Sequence, residues 1–456
     1  MLNSLREEIR PMLKLAIPLI LAELSWMSMG IVDTIMVGRL PNSAVALGAV
    51  GLGQGLYYAI AIFGSGLLLG LDTIVSQAFG RQDLEDANRS FINSLYLALA
   101  LTPILMGIVW QWPPLMRRIG IGPNLMAQLE PFLKALNWGT LPLLLYFATR
   151  RYLQAVNLVK PVTWAFVTAN VVNALGNWIF IYGRLGVPAY GVAGSGWSTC
   201  VARAYMVLFL MGALIYHNGR SRLGIWSARK RLELRRIKDL LFLGLPAAGQ
   251  ILCEIGAFAA ATALVGKLGA PSLAGHEIAL NCASVTFMIP LGISSAAAVR
   301  VGQKLGAKDF KAARRAGWTA ILLAAAFMSC TALVFFCFSR QLARIFSPDP
   351  EVIRRGSVLL LIAAVFQVFD GIQGVTTGVL RGTGDTRTPM VANFVAYWIV
   401  GLPLGYWLCF RLGLGAPGIW VGLCTGLILI GSGLLWVWKG QLQKEDPIQI
   451  RPNPVI

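Results

Sequence analysis

Three carboxylates, Asp33, Glu254 and Asp370, stand alone inside long apolar segments of the chain. An isolated acid in a bilayer costs on the order of 3 kcal/mol or more, so such a group faces a water-filled cavity, a partner or an ion path. Each lies on a polar stripe at helical spacing. Glu23, Trp26, Gly30 and Asp33 share one face, as do Gln250, Glu254, Phe258 and Thr262, and Phe366, Asp370, Gln373 and Thr377. A further stripe holds Asn170, Asn173 and Asn177. Carboxylate, amide and hydroxyl oxygens suit a hard cation such as Na+, for which Glu254 and Asp370 are the candidate metal ligands. The same acids equally take a proton, because burial disfavours a bare charge. Aromatic neighbours add cation–π attraction for a large organic cation. For the asparagines the plain alternative is interhelical hydrogen bonding, worth about 0.6 kcal/mol per bond.

The elements that must position these groups are membrane helices. Of 456 residues, 56% are hydrophobic and 13% charged, against roughly 25% charged in soluble domains. Twelve spans are predicted, near 12–36, 46–78, 91–112, 130–150, 161–183, 190–216, 238–265, 274–299, 316–338, 356–380, 388–410 and 416–438. Continuous apolar runs argue against the short alternating strands of a membrane barrel. The predicted fold class is therefore an all-α membrane protein. No small-residue cleavage site follows the first run, so an uncleaved first helix is expected. The seven cysteines lie in apolar segments without CxxC spacing and are expected to be small core residues.

Net charge is +19, which in a soluble protein would point to nucleic acid. The placement of the basic residues points elsewhere. Counted by alternate loops, 27 Lys and Arg fall on one side and 11 on the other, with Arg203 inside a span. The positive-inside rule then puts both termini and the basic 217–238 segment in the cytoplasm. The charge serves topology and contact with anionic lipid, and no nucleic-acid partner is expected.

The chain is also internally duplicated. Pro18 recurs as Pro246, Gly38-Arg39-Leu40 as Gly266-Lys267-Leu268, and Pro161 as Pro389, all at one offset of half the chain length. The Gln77–Asp83 stretch recurs at Gln303–Asp309. Six spans per half is an even number, so the halves are parallel repeats: an N-lobe at 1–216, a cytoplasmic linker at 217–237 and a C-lobe at 238–456. One chain then holds a complete two-lobe unit, expected to work as a monomer. Pro18 and Pro246 fall inside the first helix of each lobe, where proline bends a helix. The three acids are not repeated, since Glu254 corresponds to Trp26 and Asp370 to Pro142. That asymmetry assigns them to function and gives the lobes different jobs.

Other charges carry less. Asp72, late in the second span, is expected at the membrane interface. Arg203, deep in the sixth span, calls for a partner acid. His276 is expected as a hydrogen-bonded interfacial histidine, with a pH-responsive role as the alternative. No nucleotide-binding GxxxxGK[ST], HExxH or GxSxG motif occurs, so neither ATP drive nor an enzyme is expected. No cofactor is expected beyond a coupling ion.

The stretches MGIVDTIMVGRL, LDTIVSQAFG, AGHEIALN and LRGTGDTRTPM resemble the multidrug and toxic compound extrusion (MATE) family, in its NorM-like branch. The resemblance implies two six-helix lobes in a V and antiport, in which Na+ or H+ enters as an organic cation leaves. It implies that Asp33 matches the first-helix acid. Asn173, Asn177 and Thr199 match the cluster of the amino-terminal lobe, and Glu254 and Asp370 the acids of the seventh and tenth helices. Asn177 stands where many relatives have an aspartate, which shifts the expected ion site to Glu254 and Asp370. Phe366 stands where some have a tyrosine. Glu23 lies outside the family pattern, and widened cation preference or a pair with Arg203 are its two readings. The expected mechanism is competition of ion and cationic drug for the carboxylates, in a bacterial inner membrane. The alternative is a lipid-linked-precursor flippase of the same wider superfamily, whose cavity needs cationic groups.

Overall fold

The structure is a computed structural model that describes residues 2–221 and 223–441. Those residues fold into helices α1 (Leu2–Val37), α2 (Ser43–Leu67), α3 (Gly70–Gly80), α4 (Leu84–Trp110), α5 (Trp112–Arg118), α6 (Pro123–Asn137), α7 (Thr140–Ala155), α8 (Val159–Tyr182) and α9 (Val192–Ser221). There follow α10 (Leu234–Gly266), α11 (Ala270–Gly306), α12 (Phe310–Phe346), α13 (Pro350–Thr383), α14 (Arg387–Asn393), α15 (Leu402–Tyr406) and α16 (Ala416–Gln441). Two π-helical stretches, Phe394–Gly401 and Trp407–Arg411, flank α15. No strand occurs among the described residues. The basic positions beyond 441 that were counted toward a cytoplasmic C-terminus lie outside the described residues.

Eleven helical stretches among the described residues are long and apolar enough to span a bilayer. The twelfth predicted span, 130–150, is two shorter helices, α6 and α7. They meet at Trp138 and Gly139, whose amides turn back to the carbonyls three residues earlier. A Cβ on Gly139 would come within 2.9 Å of both Arg203 and Cys200, so glycine lets α9 approach here. The protein is all-α and multi-pass.

Packing divides the chain into two compact units, one of Leu21–Ala248 and one of Met1–Ile20 with Gly249–Ile456. Each boundary falls two residues after a proline, Pro18 in α1 or Pro246 in α10, and both helices run unbroken across these prolines. This cut by packing is drawn on different grounds from the sequence repeat, which compares like with like along the chain.

The repeat has a physical basis at its most similar polar stretch. Asp83 caps α4 by accepting from the Asp86 amide at 2.9 Å, and Asp309 caps α12 by accepting from the Ala312 amide at 3.0 Å. The residue before each cap, Gln82 or Lys308, is left-handed, with φ 62° and 59°. An Asp oxygen satisfies a first-turn N–H that the helix leaves unpaired. The same letters therefore build the same turn twice.

In the Leu21–Ala248 unit, consecutive arginines on α7 staple two neighbours. Arg150 pairs with Glu23 of α1, and Arg151 with Asp72 of α3 at 3.2 Å. Both arginines count as loop charges in the sequence tally but are buried in the helix. Asp72 is likewise buried and ion-paired. Of the cysteines, Cys330 and Cys337 are exposed on α12 instead of lying in the core.

Candidate functional site

Each unit gathers part of the predicted set. In the Leu21–Ala248 unit, α8 and α9 pack closely, since a Cβ on Gly176 would lie 2.6 Å from the Ser198 hydroxyl. Small residues of this kind let polar side chains meet across helices. Asn177 Nδ2 donates to Asp33 Oδ1 at 2.6 Å and to Asn173 Oδ1 at 3.2 Å. Thr199 Oγ1 donates to Asp33 Oδ2 at 3.4 Å. Asn173 Nδ2 reaches Ser198 Oγ at 3.4 Å, and that hydroxyl donates back to the Asn173 carbonyl at 2.6 Å. Asp33, Asn173, Asn177 and Thr199 are thus one buried cluster. Asn170 stands apart and binds Ser25 and Ser28 on α1.

One turn beyond Thr199 on α9 is Arg203, which is buried. Its partner is not an acid. Nη1 donates to the Tyr57 hydroxyl at 2.8 Å, and the guanidinium lies 4.9 Å from the Tyr57 ring centre. Tyr57 bonds in turn to Thr140, and Thr140 to Asn137. Arg203 acts electrostatically on Asp33, and Tyr58 interacts with both. Glu23 does not reach Arg203, because Arg150 engages it. Phe166 packs 5.7 Å from the Arg150 guanidinium.

The second cluster is in the other unit. Gln250 Nε2 donates to Glu254 Oε2 at 2.8 Å, and Gln373 Nε2 approaches the same oxygen at 3.5 Å. No base among the described residues acts electrostatically on Asp370. The charge it feels is the like charge of Glu254. No hydrogen bond from another side chain reaches Asp370 among the described residues. On the same stripe of α13, Gln373 Oε1 and Thr377 Oγ1 are buried without a hydrogen-bond partner.

Sequence reasoning missed Tyr397. It lies in the π-helical stretch Phe394–Gly401, is buried, and senses the charges of both Glu254 and Asp370. Its hydroxyl has no partner, and its ring meets Phe258 at 6.0 Å, edge to face. Single π-turns inside α-helices mark functional sites often enough to draw attention here. Its spacing of four from Asn393 is the one signal in the sequence, and it is faint.

His276 is fully buried and hydrogen-bonded through both ring nitrogens. The Trp420 indole N–H donates to His276 Nδ1 at 2.9 Å, so a neutral ring carries its proton on Nε2 and directs it to Thr262 Oγ1 at 2.8 Å. Thr262 passes its own proton to the Phe258 carbonyl. Phe366 stacks on Trp420 at 5.6 Å, so it serves packing where an oxygen was absent.

The MatE family model matches residues 18–179 and again 246–407, two segments at the offset of the internal repeat. A probable multidrug resistance protein NorM of Mesorhizobium japonicum is 37% identical, covering 98% of this chain and 97% of its own length. Multidrug resistance protein MdtK of Yersinia pseudotuberculosis is 34% identical over 95% of this chain and 96% of its own. Among solved structures, a eukaryotic MATE transporter, AtDTX14, superposes with a TM-score of 0.85 at 21% identity, covering 96% of this chain and 98% of that one.

Proposed function

The chain belongs to the MatE family, and we propose that it exports small organic cations across a bacterial inner membrane in exchange for Na+ or H+. The observation that carries the reading is the pairing of Glu254 with Asp370 in surroundings that hold no acting base and several unpartnered oxygens. The relatives named as multidrug resistance proteins support the substrate class. Two like charges that repel each other are relieved by any cation that enters. Tyr397, Gln373 and Thr377 add oxygens, and Phe258 an aromatic face.

Exchange follows from competition. When the site opens outward, Na+ or H+ occupies the carboxylates and the organic cation leaves. When it opens inward, the organic cation displaces the ion. Each ligand drives the switch only through its different affinity for the two states. Two repeated lobes of six spans each, at 1–216 and 238–456, with helices bending near Pro18 and Pro246, supply the moving parts. A flippase for a pyrophosphate-bearing lipid fits less well, because the deep cation Arg203 is engaged by Tyr57.

Ethidium exchange in proteoliposomes tests the reading. Imposed pH and Na+ gradients are applied separately to wild type, Glu254→Gln and Asp370→Asn. Acceleration of wild type by one gradient, with near-complete loss in both variants, is expected and names the ion. Wild-type rates in both variants would refute the carboxylate mechanism.

A further inference from the structure

Residues 223–233, ahead of α10, form a folded platform, not a slack tether. It lies along the first three turns of α4 and is pinned there by side chains of that helix. Asn88 donates to the Leu223 carbonyl at 2.7 Å, Tyr96 to the Lys230 carbonyl at 2.9 Å, and the Glu233 amide donates to Asn93 at 2.8 Å. Charges add to this. Glu233 takes bonds from Arg89 at 2.8 Å and Arg236 at 2.9 Å, and Arg236 also reaches Asp86 at 2.6 Å. Leu223, Ile225 and Ala228 are buried beneath.

What these anchors leave on the outside is chemically uniform. Arg229, Lys230 and Arg231 are exposed, and none has an ion pair among the described residues. Trp226 is 56% exposed, with Lys230 5.5 Å from its ring centre, and Leu232 and Leu234 are exposed beside them. Acidic partners are spent on holding the platform down, so its outer face is basic and amphipathic. The flanking spans end at Arg220 and begin at Leu234, which sets this face at the boundary between water and lipid. Tryptophan prefers that depth, and each Lys or Arg near an anionic surface gains about 1 kcal/mol there, roughly a fivefold preference.

We propose that this platform is a docking site for the headgroups of anionic phospholipids, with Arg229, Lys230 and Arg231 on the phosphate and Trp226 and Leu232 in the acyl boundary. The site is distinct from both carboxylate clusters.

Spin-labelled phosphatidylglycerol and phosphatidylcholine in liposomes holding the full chain test it. The fraction of slowed label gives the relative affinity for each lipid. Wild type is expected to prefer phosphatidylglycerol about threefold or more, on the scale of one such contact. The variant Arg229→Gln/Lys230→Gln/Arg231→Gln is expected to lose most of that preference. In 1 M salt, where the Debye length is about 3 Å, wild type is expected to lose it too. A control, Lys308→Gln/Lys311→Gln/Arg314→Gln, removes three exposed charges at and just inside the start of α12 and is expected to keep it. Equal loss in the control, or none in the linker variant, overturns the proposal. Thermal unfolding checks each variant, and Arg229→Gln alone replaces the triple if the triple does not fold.

Discussion

The two buried acid clusters are built from the same materials and balanced differently. Asp33 receives an amide and a hydroxyl, and the Arg203 guanidinium acts on it electrostatically. Glu254 receives two glutamine amides, Asp370 none, and no base acts on either. With its acid ionised the first cluster is close to neutral, whereas ionising both acids of the second would leave two negative charges together. A buried charge is tolerated when it is paired and costly when it is not. The first cluster therefore has its cation built in, and the second is left wanting one from outside.

The sharpest way to break this contrast is equilibrium binding of tetraphenylphosphonium to purified protein. Asp370→Asn is expected to weaken it about a hundredfold, roughly 2.8 kcal/mol. Asp33→Asn should change it by less than about threefold, under roughly 0.7 kcal/mol. Equal losses would erase the distinction. Next, Arg203→Met removes the built-in cation together with its charged hydrogen bond, and about 2 kcal/mol of stability should go with it. Because Asp33 is then unbalanced, Na+ should raise the melting temperature of this variant more than that of wild type, with choline as the control ion. A smaller effect is expected for Tyr397→Phe. Losing one hydroxyl ligand should cost about 1 kcal/mol of cation affinity, near fivefold, without a change in melting temperature. The smallest belongs to Thr199→Val, whose 3.4 Å bond is worth at most about 0.6 kcal/mol in thermal unfolding.

Much of this contrast was legible in the sequence, and the missing part has a common cause. The acids, the asparagine stripe and Gln250 and Gln373 all announce themselves as polar letters in apolar helices, where few neighbours compete for attention. The twelve spans follow from length, and the one that splits, 130–150, does so at a glycine whose reason is a neighbouring helix. Partners across helices were not legible. Glu23 finds Arg150 and Arg203 finds Tyr57, because α1, α2, α7 and α9 meet in ways no local pattern encodes. Tyr397 was hidden for a different reason. A tyrosine among Phe394, Trp398 and Ile399 reads as one more apolar residue until a π-turn sets its hydroxyl near two acids.

The course of α1 and α10 through the packing units also bears on biogenesis. Residues 1–20 leave the ribosome long before Gly249, yet the unit that houses them is completed only after Gly249 onward has been made. The other unit waits for the opening half of α10. Neither unit is confined to one side of the linker, so a gene cut there yields two fragments that each lack a strip of their own packing and carry a strip of the other's. Separate expression of such fragments should yield little folded protein, while co-expression should restore it, since each would deliver what the other is missing.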